Sequence, residues 1–319
     1  VKRPRRRLLT RRDGFVIAAM LGIPLLLEAF LIWGPALASV GLSFTKWTGV
    51  GGVRLQSCDS LPSAPGIPQP GCLYGVRNYE QAFTTYPDFW PAVQHNIIWL
   101  LVFVCFATPL GMLFAVVIDR GIRGSRIYQS ILFLPVMLSL ALIGIIWELI
   151  YSPNFGLVNS LLDRTGDDNL IDWLGDPSLN LWALLVEASW RQAGYVMILY
   201  LAGLKAVDPA LREAALVDGA TAWQTFWRVV FPAMRPINIV VMVVTVIESL
   251  RAFDLVYITS GGNPLKGLEL LSVAVTQNIV GETQRIGFGS TLGVILLVIS
   301  LVPITLFLYQ AFRREEARS

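Results

Sequence analysis

Residues 205–236 read KAVDPALREAALVDGATAWQTFWRVVFPAMRP. Asp208 followed by Pro209 is a helix start: an acid at the cap, then proline where a missing N–H costs nothing. Leu211, Ala214, Ala215 and Asp218 follow at helical spacing, and Gly219 ends this helix or lets a neighbour approach closely. A second amphipathic run sets Trp223, Phe226, Trp227, Val230 and Phe231 on one face. Pro232 and Pro236 end it and lead into an apolar run. Aromatics and Arg228 on such a pair suit the surface of a bilayer, and lipid is the first partner these residues suggest. The small face of Ala214 and Ala215 leaves open a second partner, a protein cleft that needs a close approach.

The flanks settle the class. Of 319 residues, 55% are hydrophobic and 15% charged, against about 25% charged in a soluble domain. A helix needs about 20 apolar residues to cross a bilayer. Six stretches qualify, about 14–44, 93–118, 127–151, 181–204, 237–258 and 289–311. With a cytoplasmic N-terminus, the inner segments hold 17 of the 25 Lys and Arg and the outer segments six. Seven of the 17 lie in the first 12 residues. The bias predicts both termini inside. The fold expected is all-α: a polytopic membrane protein of six transmembrane helices, N-in and C-in, with a short cytoplasmic helix pair between spans four and five. A basic tail, 1–13, precedes one membrane domain, 14–311, with an inner loop at 205–236 and an outer insertion at 45–92; 312–319 forms a second inner tail. The first apolar stretch exceeds the roughly 7–15 residues of a signal-peptide core, and it reads as an uncleaved span.

The middle of the outer insertion, SCDSLPSAPGIPQPGC (57–72), carries four prolines and no helical pattern, so it reads as irregular. Cys58 and Cys72 share this loop. Facing outward they are expected to form a disulfide, two free thiols being the alternative. Cys105 falls inside a span and reads as a small buried hydrophobe. Two thiols and one histidine, His95, do not make a zinc site. The small net charge of +3 gives no reason to expect nucleic-acid binding.

Glu213-Ala214-Ala215, a three-residue gap with Asp218 at its end, Gly219, then Phe226 and Pro232 resemble the EAA motif of binding-protein-dependent ABC importer permeases. Val230-Phe231-Pro232 departs from the usual I-x-L-P only in its apolar residues. The resemblance spans nearly the whole chain. It implies that the short helix is a coupling helix, seated in a groove of a cytoplasmic ATPase dimer that carries ATP and Mg. It also implies a second permease subunit and an extracytoplasmic solute-binding protein. Asn78-Tyr79, the set Arg126, Phe133, Pro135 and Trp147, Trp190 with Leu201-Ala202-Gly203-Leu204, and Thr259-Ser260-Gly261-Gly262-Asn263-Pro264 resemble the carbohydrate branch, which contains the maltose and glycerol-phosphate permeases. A sugar or sugar derivative is the cargo this implies, with polyamine or anion cargo as alternatives.

Ionisable side chains in hydrocarbon cost roughly 2.5–3.5 kcal/mol and are functional candidates by default. Arg191, Glu248, Arg251 and Asp254 stand out, with Trp190, Gln192 and Tyr195 beside Arg191. Glu248 and Arg251 are three apart and are expected to share a helix face, either as a buried pair or lining an aqueous cavity where they hydrogen-bond cargo hydroxyls. Glu28, Glu148 and Glu187 read as structural or interfacial. An ion-coupled carrier is the other transport class, but no matching pair of Gly- or Pro-broken helices supports it. HExxH, GxSxG and GxxxxGK[ST] are all absent from the sequence, so the chain is expected to be no enzyme, to hold no cofactor and to leave ATP hydrolysis to a partner.

Overall fold

A computed structural model describes residues 11–60, 71–164, 170–260, 266–281 and 284–316. The expected basic tail at 1–10 and the Gly261–Pro264 turn lie outside the described residues. The chain divides into two compact units, Val1–Thr84 with Asn278–Val294, and Thr85–Gln277 with Ile295–Ser319.

The first unit opens with an apolar helix, Phe15–Leu42, none of whose most apolar window is buried. Phe15, Met20, Leu26, Phe30 and Trp33 are all exposed. An apolar surface on every side suits hydrocarbon and not water. A small sheet follows, in the order Thr45–Lys46, Gly71–Leu73, Val53–Ser57. The middle strand runs antiparallel to the first and parallel to the last. The second and third of these strands in chain order reach into the ends of the segment 57–72 that the sequence suggested was irregular, and the helix Arg77–Thr84 follows it. Their few residues lack the alternation that marks a longer strand. Cys58 and Cys72 are joined in the structure, with Cα atoms 5.1 Å apart. The Asn78 amide, buried, donates to the carbonyls of Ser43 and Thr45 at 2.9 Å each, and the Tyr79 hydroxyl meets that of Ser43 at 2.8 Å. This dipeptide therefore fastens the turn that ends the first helix.

The second unit is built on Asn180–Ala206, a 27-residue helix buried over much of its length. Apolar packing alone does little to associate helices in hydrocarbon, so close backbone approach matters. Glycine supplies it at three places. A Cβ on Gly111 would stand 2.6 Å from the Ala193 carbonyl oxygen, one on Gly194 would collide with the Leu132 carbonyl, and one on Gly203 would press on Ile237 at 3.0 Å. These contacts seat Thr108–Asp119, Ser125–Met137 and Arg235–Leu250 against the central helix. Thr108, Gln192 and Thr245 add a buried polar chain, with hydroxyls 3.2 Å apart and the amide 3.4 Å from Thr245.

Three described helices, Phe15–Leu42, Phe89–Asp119 and Ile286–Leu306, are long and apolar enough to cross a membrane. Two more candidates are bent pairs: Ser125–Met137 with Leu140–Tyr151 at 103°, and Asn180–Ala206 with Pro209–Val217 at 72°. The apolar stretch 127–151 is thus not one straight helix. Leu138 and Ser139 are extended, and the Ser139 hydroxyl caps the next helix by accepting from the Leu142 N–H. The stretch 237–258 also breaks, between Leu250 and Asp254.

Wide π-turns at Ala29–Trp33, Phe103–Ala107 and Phe226–Val230 each end two residues before a proline: Pro35, Pro109 and Pro232. A proline inside a helix has no N–H for the carbonyl four residues back, and its ring crowds that carbonyl. The widened turn absorbs this without a break. It also shifts the faces of the helix. Cys105, expected to be buried, lies within one such turn and is exposed.

Replacing Gly194 or Gly111 with leucine is expected to cost about 1–3 kcal/mol through overpacking. Gly22→Ala, where a Cβ would meet nothing within 4 Å, is the control. Thermal unfolding in detergent checks both, and an unshifted midpoint for Gly194→Leu would overturn the packing argument. Non-reducing peptide mapping is expected to recover a Cys58–Cys72 linked peptide, and its reduction to cost about 3 kcal/mol for a loop of this size.

Candidate functional site

The segment 205–236 forms a capped and tethered helix. The Asp208 carboxylate accepts from the Ala210 N–H at 2.9 Å, and Pro209 occupies the first turn of Pro209–Val217. At the far end Gly219 takes φ +78°, a left-handed conformation in which other residues are strained. The Ala220 N–H closes the end onto the Ala215 carbonyl at 3.0 Å. Thr221 and Gln224 then form a reciprocal capping box for the next helix. Trp227 packs on Trp223, Phe226 and Phe231 with ring centroids 5.5, 5.2 and 5.0 Å away.

The sequence reading missed the tether. Arg212 donates to the Asp119 carboxylate at 2.9 Å and to the Leu204 carbonyl at 2.8 Å. One guanidinium therefore joins the short helix to the ends of Thr108–Asp119 and Asn180–Ala206. The two charges are 93 residues apart, and nothing local pairs them. They frame an apolar cleft of about 670 Å³, also lined by Met112, Leu216, Trp223 and Phe226. Of the motif residues, Ala215 is buried, Phe226 half-buried, and Glu213, Ala214, Asp218, Gly219 and Pro232 are exposed. A Cβ on Gly219 would meet nothing within 4 Å in this chain. The glycine is therefore required by its backbone conformation alone, and the space beside it is open.

The candidates within the apolar stretches are partly gathered. Arg191, Glu248, Arg251 and Asp254 line one cavity of about 110 Å³ with Trp99 and Phe103. Arg191 donates to Glu248 at 3.3 Å. The expected partnership of Glu248 with Arg251 is therefore replaced. Arg251 caps the helix with its N–H still bonded to the Ile247 carbonyl at 3.0 Å, so it stays one turn from Glu248, but the carboxylate is turned to Arg191 on the neighbouring helix. Trp190 packs edge-on against Trp147, with centroids 5.8 Å apart. Gln192 is consumed by the buried bond to Thr245, and Tyr195 is half-buried outside the cavity lining. Glu187, read as structural, is buried, and its Oε1 has no hydrogen-bond partner among the described residues. His95 Nδ1 lies 2.9 Å from the Glu269 carbonyl oxygen, and the Asn96 side chain accepts from the Leu271 N–H at 3.0 Å. Both contacts bind the start of Phe89–Asp119 to the segment before Leu271.

Residues 107–317 match the family described as binding-protein-dependent transport system inner membrane component. The osmoprotective compounds uptake permease GgtC of Synechocystis is 32% identical over 76% of this chain and 86% of its own. The xylose/arabinose import permease XacH of Haloferax volcanii is 28% identical over 92% of this chain and 87% of its own. The same fold occurs in a bacterial alginate ABC transporter solved with a periplasmic protein bound to alginate pentasaccharide: TM-score 0.75, 20% identity, 95% of this chain and 96% of that one. The matched region contains the EAA segment, its Arg212–Asp119 tether and the Arg191–Glu248 pair, and the chain belongs to the family of inner-membrane components of binding-protein-dependent transport systems.

Proposed function

We propose that this chain is one of two permease subunits of an importer that moves a sugar or sugar derivative by alternating access. It crosses the cytoplasmic membrane six times with both termini inside. ATP and Mg act on a separate ATPase dimer, and a solute-binding protein delivers the cargo outside. The observation that carries the reading is the motif helix, capped at both ends, held by Arg212, and presenting Glu213, Ala214, Asp218 and Gly219 outward. A helix whose own chain leaves Glu213, Ala214, Asp218 and the glycine turn uncovered suits a groove on another protein. Its tether runs straight into two long helices, so a displacement of the groove would be passed to them as rigid bodies.

Relatives named for xylose/arabinose import and for trehalose/maltose transport support a sugar cargo. The cavity chemistry is compatible, since Arg191, Glu248 and Asp254 offer donors and acceptors beside Trp99 and Phe103. At about 110 Å³ the cavity is well below the ~300 Å³ at which small-molecule pockets begin. A second permease facing it would supply the remaining wall.

Replacing Gly219 with leucine is expected to abolish uptake and to uncouple the ATPase, while the chain still inserts in the membrane. Open space at that position means that the fold itself has little to lose beyond the ~1 kcal/mol of backbone strain. Full uptake in proteoliposomes would sink the coupling assignment. For the cavity, Arg191→Ala and Glu248→Gln each leave a half-buried charge without its partner, so the double variant Arg191→Leu/Glu248→Leu is the cleaner probe. It is expected to assemble with its partners yet lose about tenfold or more in sugar uptake, the worth of one or two lost polar contacts. Wild-type uptake by that variant would remove the pair from the cargo path.

A further inference from the structure

The first unit holds a pocket that the transport reading does not use. It has a volume of about 210 Å³, and its walls include Lys46, Trp47, Tyr74, Gln81, Arg285 and Phe288. All six belong to that one unit. Lys46 stands over the Tyr74 ring at 5.7 Å, and Arg77 over the same ring at 5.5 Å. Arg285 stands over Phe288 at 4.5 Å. These are cation–π distances, at which a ring face holds a cation in place without neutralising it.

The charge stays available. Among the described residues neither Lys46 nor Arg285 forms an ion pair. Asp59 is bound to Arg77 through two hydrogen bonds of 2.9 Å, and the guanidinium holds its carboxyl below the usual range. The wall is also fixed. Lys46 lies in a strand paired with Gly71–Leu73, Cys72 of that strand is joined to Cys58, and the Gly287 N–H donates to the Trp47 carbonyl at 2.9 Å.

Three things follow for the occupant. The Tyr74 and Phe288 faces are already occupied by cations, so they do not offer a neutral sugar a stacking surface. Two cations lining one hollow with no ion pair among the described residues select a carboxylate. And these cations stand on segments 45–92 and 259–288, which hold only five of the chain's 25 Lys and Arg and which the proposed topology places outside. Their gathering runs against the general depletion of cations on that side.

We propose that this pocket receives an acidic side chain of the solute-binding protein, an electrostatic latch between Lys46 and Arg285 on the outer face. The assignment rests on the importer reading given above. A static, preorganised site suits docking, and complementary charge at such a rim raises the rate of encounter and fixes the register of the two proteins.

The test uses the complete importer in nanodiscs with its own binding protein. ATPase rate is measured against binding-protein concentration for wild type, Lys46→Glu/Arg285→Glu, Lys46→Gln/Arg285→Gln and the conservative Lys46→Arg/Arg285→Lys. The charge-reversed pair is expected to raise the half-saturating concentration about tenfold at low salt with the maximal rate unchanged. The neutral pair should fall between, and the conservative pair near wild type. The wild-type half-saturation should rise from about 50 to about 300 mM NaCl, and that of the neutral pair should rise much less. Carbodiimide treatment of the wild-type complex should join the Lys46 amine to an Asp or Glu of the binding protein as an amide, with loss of water. Unchanged half-saturation across the variants, or a fall in maximal rate alone, overturns the latch. So does glucuronate, but not glucose, binding the complex in a Lys46-dependent way while stimulation by the binding protein is untouched, since the pocket would then serve a free anionic solute. If the binding protein fails to stimulate even the wild type, the importer reading falls with it, whereas normal stimulation that ignores these variants removes the latch alone.

Discussion

In hydrocarbon, one apolar side chain is as well solvated as another, and helices are held together by contact distance and by hydrogen bonds that lipid cannot replace. The helix Asn180–Ala206 meets this constraint with glycine at its closest crossings. Gly194 lies under the Leu132 carbonyl, Gly111 under that of Ala193, and Gly203 under Ile237. Where backbones come this near, even a methyl group has no room. The polar chain of Thr108, Thr245 and Gln192 adds direction to the same contacts. Everything functional hangs on this helix: Arg191 projects from its middle, and the motif helix follows its last turn.

Proline sets the second constraint. Three prolines each follow a widened turn instead of breaking their helices. The helix continues, but the side chains beyond the turn face a new direction. In the segment leading out of the motif helix, this is what clusters Phe226, Trp227 and Phe231 and leaves Trp223 exposed. A simple helical wheel cannot place these residues, because its period changes partway along.

The transport reading links two places that differ in kind. The motif segment is organised by local bonds, with caps at Asp208 and Thr221 and a glycine turn between them. The cavity at Arg191 is organised by distant ones. Arg212 with Asp119 and Leu204 stands between, a long-range clamp on a locally determined helix. Under the proposed function, a tilt of the motif helix would pull through this clamp on the ends of two long helices, the kind of rigid-body link by which a motion at one face is passed on.

Composition, charge placement and the spacing within 205–236 were enough to read the membrane class, the largely helical fold and the motif segment with its caps. Each of these depends on a residue and its near neighbours, so it is written in the order of the chain. The order did not show the interruption at Leu138–Ser139, which lies in a run whose hydropathy continues across the break, or the one at Arg251–Phe253, where 248–254 carry three charges but no glycine or proline to mark a stop. It did not show that Glu248 reaches Arg191, 57 residues away, or that Lys46 and Arg285 converge. Such pairings depend on how each helix is rotated and where it stops, and those angles are set by the packing of whole helices, which no local spacing encodes.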